Sequence, residues 1–110
     1  MSMTVGQVYE AWSARAYAKV GPQAVRGYAA SWKMRISQFA DRKMRDMTLD
    51  EWQSILDEDE KNGLSQSIVN KDLHVIKGLY AYSMERDIVG KDYSAFLDVP
   101  SIAPKGFLTK

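Results

Sequence analysis

Ser67, Asn70, Lys71, His74 and Lys77 recur at three- and four-residue spacing within the stretch GLSQSIVNKDLHVIKGLYAYSMERDIVGKD, Gly63 to Asp92. On a helix that spacing places them on one face. Two ammonium groups, a hydroxyl, a carboxamide and an imidazole, with no acid among them, suit a particular ligand chemistry. Cations meet phosphate oxygens, and amide side chains read the edges of bases. The same face also reads as an ordinary solvated helix surface, as does His74 taken alone. Arg26 and Lys33, two helical turns apart, offer a second face of the same kind earlier in the chain.

Catalytic chemistry is poorly represented. His74 is the sole histidine and has no companion at metal-ligand spacing; no glycine-rich phosphate loop and no nucleophile elbow occurs. Asp57, Glu58, Asp59 and Glu60 are consecutive, so they fan around a helix instead of converging on a substrate, and they read as a solvated helix end. With no cysteine, disulfides, thiolate metal sites and cysteine nucleophiles are excluded, which fits a reducing compartment. The expectation is a non-enzymatic chain with neither cofactor nor metal. No apolar run approaches the roughly 20 residues of a membrane span, and MSMTVGQVYEAW lacks the pattern of a secretory leader. A cytoplasmic location without membrane contact is expected.

The net charge of +1 hides a segregation. Through residue 46 eight Lys or Arg stand against three acids; from Met47 to Asn62 six acids face only Lys61. One end should attract polyanions and another repel them.

At 110 residues, 45% apolar and 26% charged, the chain has the proportions of one globular domain with one modest core. Thr4 caps a first helix with Val5, Val8, Tyr9, Trp12 and Ala16 on its buried stripe. Gly21-Pro22 ends it and opens a second, whose stripe is Val25, Tyr28, Ala29, Trp32, Ile36 and Phe39. Ala40 to Met47 reads as a polar connector. Thr48 and Glu51 form a capping box for a third helix that buries Leu49, Trp52, Ile55 and Leu56 and stops at Asn62-Gly63. Ser65 caps the fourth, with Val69, Leu73, Ile76, Leu79, Tyr80 and Met84 inward. A short fifth helix is predicted over Asp92 to Leu97. The aromatic residues on these stripes read as core, not as base-stacking platforms. The fold class is all-α: a compact bundle of four main helices plus a short fifth.

Four ordered segments carry a resemblance: TVGQVYEAW (Thr4 to Trp12), AVRGYAASW (Ala24 to Trp32), MTLDEWQSIL (Met47 to Leu56) and the Gly63 to Asp92 stretch. Together they resemble the core-binding, SAM-like N-terminal domain of tyrosine recombinases, the phage integrases among them. The chain departs from that family at Ala24 and Ile68, where threonine is usual, and at Asp92-Tyr93, where Asn-Pro is usual. The resemblance implies a DNA-binding domain spanning 1–100, with 101–110 as a linker towards a catalytic domain outside this chain. That catalytic domain would hold the family's arginine, lysine, His-x-x-Arg box and tyrosine nucleophile. The implied role is to position a recombinase on its site for DNA integration or excision in a bacterial or phage-infected cell. Double-stranded DNA, the catalytic domain and further protomers of a DNA-bound tetramer are the implied partners.

The candidate DNA-contacting set is Gln23, Arg26 and Lys33 from the second helix, with Ser65, Gln66, Ser67, Asn70, Lys71, His74 and Lys77 from the fourth. Two other classes fit the helical pattern: a protein-protein interaction module, and a small dimeric transcription regulator of helix-turn-helix type.

Overall fold

The computed structural model describes residues 2–102. Four helices form the bundle: α1 (Val5–Ala16), α2 (Pro22–Ser31), α3 (Leu49–Lys61) and α4 (Gln66–Glu85). Among the described residues there is no strand, only an isolated bridge between Thr4 and Lys43.

Each helix begins where the sequence supplies a cap. Thr4 accepts from the Gln7 amide at 3.1 Å, while the Gln7 side chain accepts from the Thr4 amide at 2.9 Å. Thr48 and Glu51 repeat this exchange at the start of α3, and the Ser65 hydroxyl accepts from the Ile68 amide at 3.3 Å. Pro22 occupies the first turn of α2, where a missing N–H costs nothing. At the end of α3 the amides of Gly63 and Leu64 donate to the carbonyls of Glu60 and Asp59. That closure needs the left-handed φ of +72° that Gly63 adopts readily.

Several expectations are corrected. The Ala40 to Met47 segment is not a polar connector. The first amides of α1, at Val5 and Gly6, donate to the carbonyls of Arg42 and Ala40, and the Met44 amide donates to Met3. Satisfying those orphan donors pulls the segment inward and buries Met44 and Met47 in the core. The second helix does not run regularly to Phe39: after Ser31 it widens into a π turn over Trp32–Ile36, closed by the Ser37 amide on the Trp32 carbonyl. The predicted fifth helix is a single 3-10 turn, Tyr93–Phe96, capped by Asp92. The inward face of α4 is rotated: Asp72, Val75 and Ser83 are buried, Leu73 is half-buried, and Met84 is 40% exposed. Trp32 is half-buried, its ring stacked on Tyr9 at 4.1 Å.

The acidic run is corrected too, because Asp59 is buried. It joins Arg35 and Asp72 at the junction of α2, α3 and α4. Arg35 Nε donates to both Asp72 oxygens at 2.7 and 2.8 Å, Arg35 Nη2 donates to Ser31 at 3.1 Å, and Asp59 Oδ1 lies 3.7 Å from Arg35 Nε. Asp59 Oδ2 has no hydrogen-bond partner among the described residues. One guanidinium neutralises one carboxylate, so the second holds its proton: burial and the neighbouring Asp72 push the Asp59 carboxyl up to about 8.

The core gathers Val5, Val8, Ile36, Trp52, Ile55, Ile76 and Leu79 around α4, with Trp52 donating its indole N–H to the Tyr80 hydroxyl at 2.7 Å. Two glycines set how closely the other helices approach. A Cβ on Gly78 would lie 2.2 Å from the Trp12 ring, and one on Gly27 would lie 2.7 Å from Lys71 Cε. Glycine inside a helix costs about 1 kcal/mol relative to alanine. Here it lets Trp12 seat on α4 and the Lys71 stem lie across α2.

Candidate nucleic-acid interface

The close approach at Gly27 brings the polar faces of α2 and α4 together. Tyr28, Gln66, Ser67, Asn70, Lys71 and His74 line one shallow, open depression between them. Lys71 crosses Gly27 and ends with its ammonium donating to the Ser67 hydroxyl at 2.9 Å. His74 lies on the Tyr28 ring at 4.3 Å with planes 16° apart, and 6.1 Å from the Trp12 ring. Partial desolvation of this otherwise exposed side chain against the rings lowers the His74 pKa, so the imidazole is mostly neutral near pH 7 and keeps one donor and one acceptor.

The remaining members of the candidate set lie outside that lining. Lys77 is exposed one turn further along α4, and Gln23 and Arg26 are exposed on the first turns of α2. Lys33 is exposed within the π turn. Ser65 and Gln66 have structural engagements. The Ser65 hydroxyl is the cap of α4. The Gln66 carboxamide donates to the Pro100 carbonyl at 3.0 Å and to Asn70 Oδ1 at 3.1 Å, and accepts from the Ile102 amide at 2.7 Å. Gln53 on α3 holds Asp98 in the same two-way manner, at 2.7 and 2.8 Å. The segment expected to be a linker from residue 101 is therefore still tied to the bundle at Ile102; positions 103–110 lie outside the described residues.

Tyr28, read as core, packs half-buried against the core and also lines the depression. The available signal was Gly27 beside it, since a glycine within a helical pattern marks a close approach. Behind it the rings continue inward: Tyr28 to Tyr17 at 6.4 Å, with the Tyr17 hydroxyl 2.7 Å from that of Tyr9. Burial and that bond push the Tyr17 hydroxyl pKa up.

Electrostatically the depression is one-sided. Among the described residues no carboxylate lines it, and the one acid on the first four turns of α4, Asp72, is buried on the opposite side against Arg35. Two arginines counted in the basic first half are already paired with acids of the protein, Arg35 with buried Asp72 and Arg42 with Glu51 at the surface. Arg26, Lys33, Lys71 and Lys77 have no ion-pair partner among the described residues. The arrangement can hold an extended anion and offer an amide and an imidazole to it.

The sequence matches no protein-family model and no curated protein. Two solved structures share the fold. One is the solution NMR structure of a fragment covering residues 61–160 of a protein from Clostridium leptum, with a TM-score of 0.77 over 94% of both chains at 13% identity. The other is the solution NMR structure of "a domain from a putative phage integrase protein" of Nitrosospira multiformis. It has a TM-score of 0.72 at 20% identity, over 94% of this chain and 89% of that one. The all-α bundle expected from the sequence is thus a fold shared with both of these solved domains.

Proposed function

We propose that this chain is a core-binding domain of a tyrosine recombinase, which grips the recombination-site duplex and leaves strand cleavage to a separate catalytic domain. The observation that carries this reading is the acid-free face where α4 meets α2, with Lys71 laid across Gly27 and His74 laid on Tyr28. The four resembling segments support it, and so does the fold shared with the integrase domain.

In this reading α4 enters the major groove, which is about 12 Å wide and admits a helix. Asn70 and the neutral His74 address base edges, while Lys71, Lys77 and Arg26 neutralise phosphates. Gln23 joins from the first turn of α2, and Lys33 meets the backbone further out. Ser65 and Gln66 act as positioning residues: one caps α4, and the other fixes the path of the chain at Ile102 beside Ser67 and Asn70. Whatever follows would start towards the duplex from that end of α4. The domain alone should bind weakly, near the roughly 10⁻⁴ to 10⁻⁶ M of nonspecific contacts.

The test is fluorescence anisotropy with a labelled duplex at low salt. Lys71→Glu and Lys77→Glu should each weaken binding several-fold, and Glu58→Lys, on the exposed side of α3, should not weaken it. Equal loss from all three reversals would mean diffuse electrostatics without a defined face. No binding by the unmutated chain would favour the protein-interaction reading.

A further inference from the structure

We propose that the DNA-contacting surface continues beyond Lys77 onto the C-terminal end of α1 and the 3-10 turn that follows it, Tyr17–Lys19, where Arg15 and Lys19 form a second contact to the phosphate backbone of the same duplex. This deepens the DNA reading and rests on it.

The seat of Trp12 on Gly78 creates the site. It holds the end of α1 against the end of α4, leaving a cleft of about 240 Å³ with Arg15 and Lys19 on one wall and Ala81, Tyr82, Glu85 and Arg86 on the other. Arg86 lies 4.0 Å above the Tyr82 ring and pairs with Glu85 at 3.2 Å, so the single acid of the cleft already has its counter-charge. Arg15 and Lys19, one turn apart, have no ion-pair partner among the described residues. The cleft thus carries two uncompensated cations.

Its position follows from α4. Ser67, Asn70, His74, Lys77 and Ala81 are all exposed at three- and four-residue spacing, so the polar face leads without interruption to the mouth of the cleft. At 20 residues α4 is about 30 Å long, more than twice the width of the groove. Laid across the groove and seated by its Ser67–His74 half, the helix reaches the flanking backbone with its other half. Cations there face phosphates and cannot reach base edges, so their contribution is independent of sequence.

The experiment is a salt series of anisotropy titrations on two unrelated duplexes, with the Arg15→Gln/Lys19→Gln double variant, the charge-conserving Arg15→Lys/Lys19→Arg variant, and Lys77→Gln. Because all three positions are exposed, the melting temperatures should stay together. Two lost phosphate contacts should reduce the slope of log K against log salt by about 1.8 and weaken binding on the order of tenfold near 0.1 M salt. The loss should be equal for both duplexes, and the charge-conserving variant should keep the slope. If Lys77→Gln lowers the slope and the double glutamine variant does not, the cleft is no phosphate site and the α2/α4 face stands. If neither changes it, both the cleft and the proposed function fail.

Discussion

Arg35 and Lys71 are cations on neighbouring helical segments, yet their surroundings are opposite. Arg35 points inward between two carboxylates, both nearly inaccessible, with side-chain exposures of 2% at Asp59 and 0% at Asp72. Lys71 points along the outside, over a bare glycine, with a serine hydroxyl as its one hydrogen-bond partner among the described residues. The inner junction is over-supplied with acid and holds a proton to stay neutral; the outer junction has no acid among the described residues. Charges that the fold uses find counter-charges within it, and a row of cations and amides without them is what a polyanion would complete.

The largest effect should come from breaking the inner junction. Arg35→Ala leaves two buried carboxylates without their cation and should cost about 3 to 5 kcal/mol, read as a drop in the urea midpoint. Lys71→Ala, its outer counterpart, should leave the midpoint nearly unchanged.

The proton at Asp59 gives the next effect. Its carboxyl is raised in the folded state, so the stability it contributes is full below its unfolded value and is lost as pH rises towards about 8. Arg35 from the π turn, Asp72 from α4 and Glu58 on α3 are the charged groups that act on it. His74, whose folded pKa is lowered, acts in the opposite sense and only below its unfolded value of about 6.5. Between pH 6.5 and 8 the stability should therefore fall with pH, by at most about 1.4 kcal/mol per unit for one proton. Asp59→Asn should flatten that slope, and an unchanged slope would show that the proton sits elsewhere.

The two glycines sharpen the contrast further. Gly78→Ala drives a methyl into the Trp12 ring and should cost about 1 to 3 kcal/mol by overpacking. Gly27→Ala meets only the flexible end of Lys71. It should be neutral or stabilise by up to about 1 kcal/mol through helix propensity, while weakening DNA binding a few-fold because Lys71 is displaced. Weakened folding without weakened binding at Gly27 would reverse the assigned roles of the two contacts.

Local signals reached far into this fold. Thr4, Thr48, Ser65 and Gly63 were readable as caps because capping depends on residues three or four apart. Trp52, Ile55 and Ile76 were readable as core because their periodicity is that of one helix face. Asp59 and Asp72 were not, since a buried carboxylate is recognisable only when the distant Arg35 is known to lie beside it. Met44 and Met47 were misread for a related reason: the segment is drawn inward by the unsatisfied amides of α1, some 40 residues earlier. The polar face of α4 was legible as a pattern. Its closure against α2 through Gly27 and Tyr28, the engagement of Gln66 with Pro100 and Ile102, and the cleft at Arg15 and Lys19 depend on how the helices cross, which no single-helix pattern contains.

The most direct test of the central claim is an NMR titration of the isotope-labelled chain with a duplex of about 16 base pairs, followed at the backbone amides. The amides of residues 23–27 and 65–77 should shift progressively, and those of the acidic end of α3, residues 57–61, should stay in place. Shifts centred on α3, or none anywhere at millimolar duplex, would contradict the assignment of the α2/α4 face to DNA.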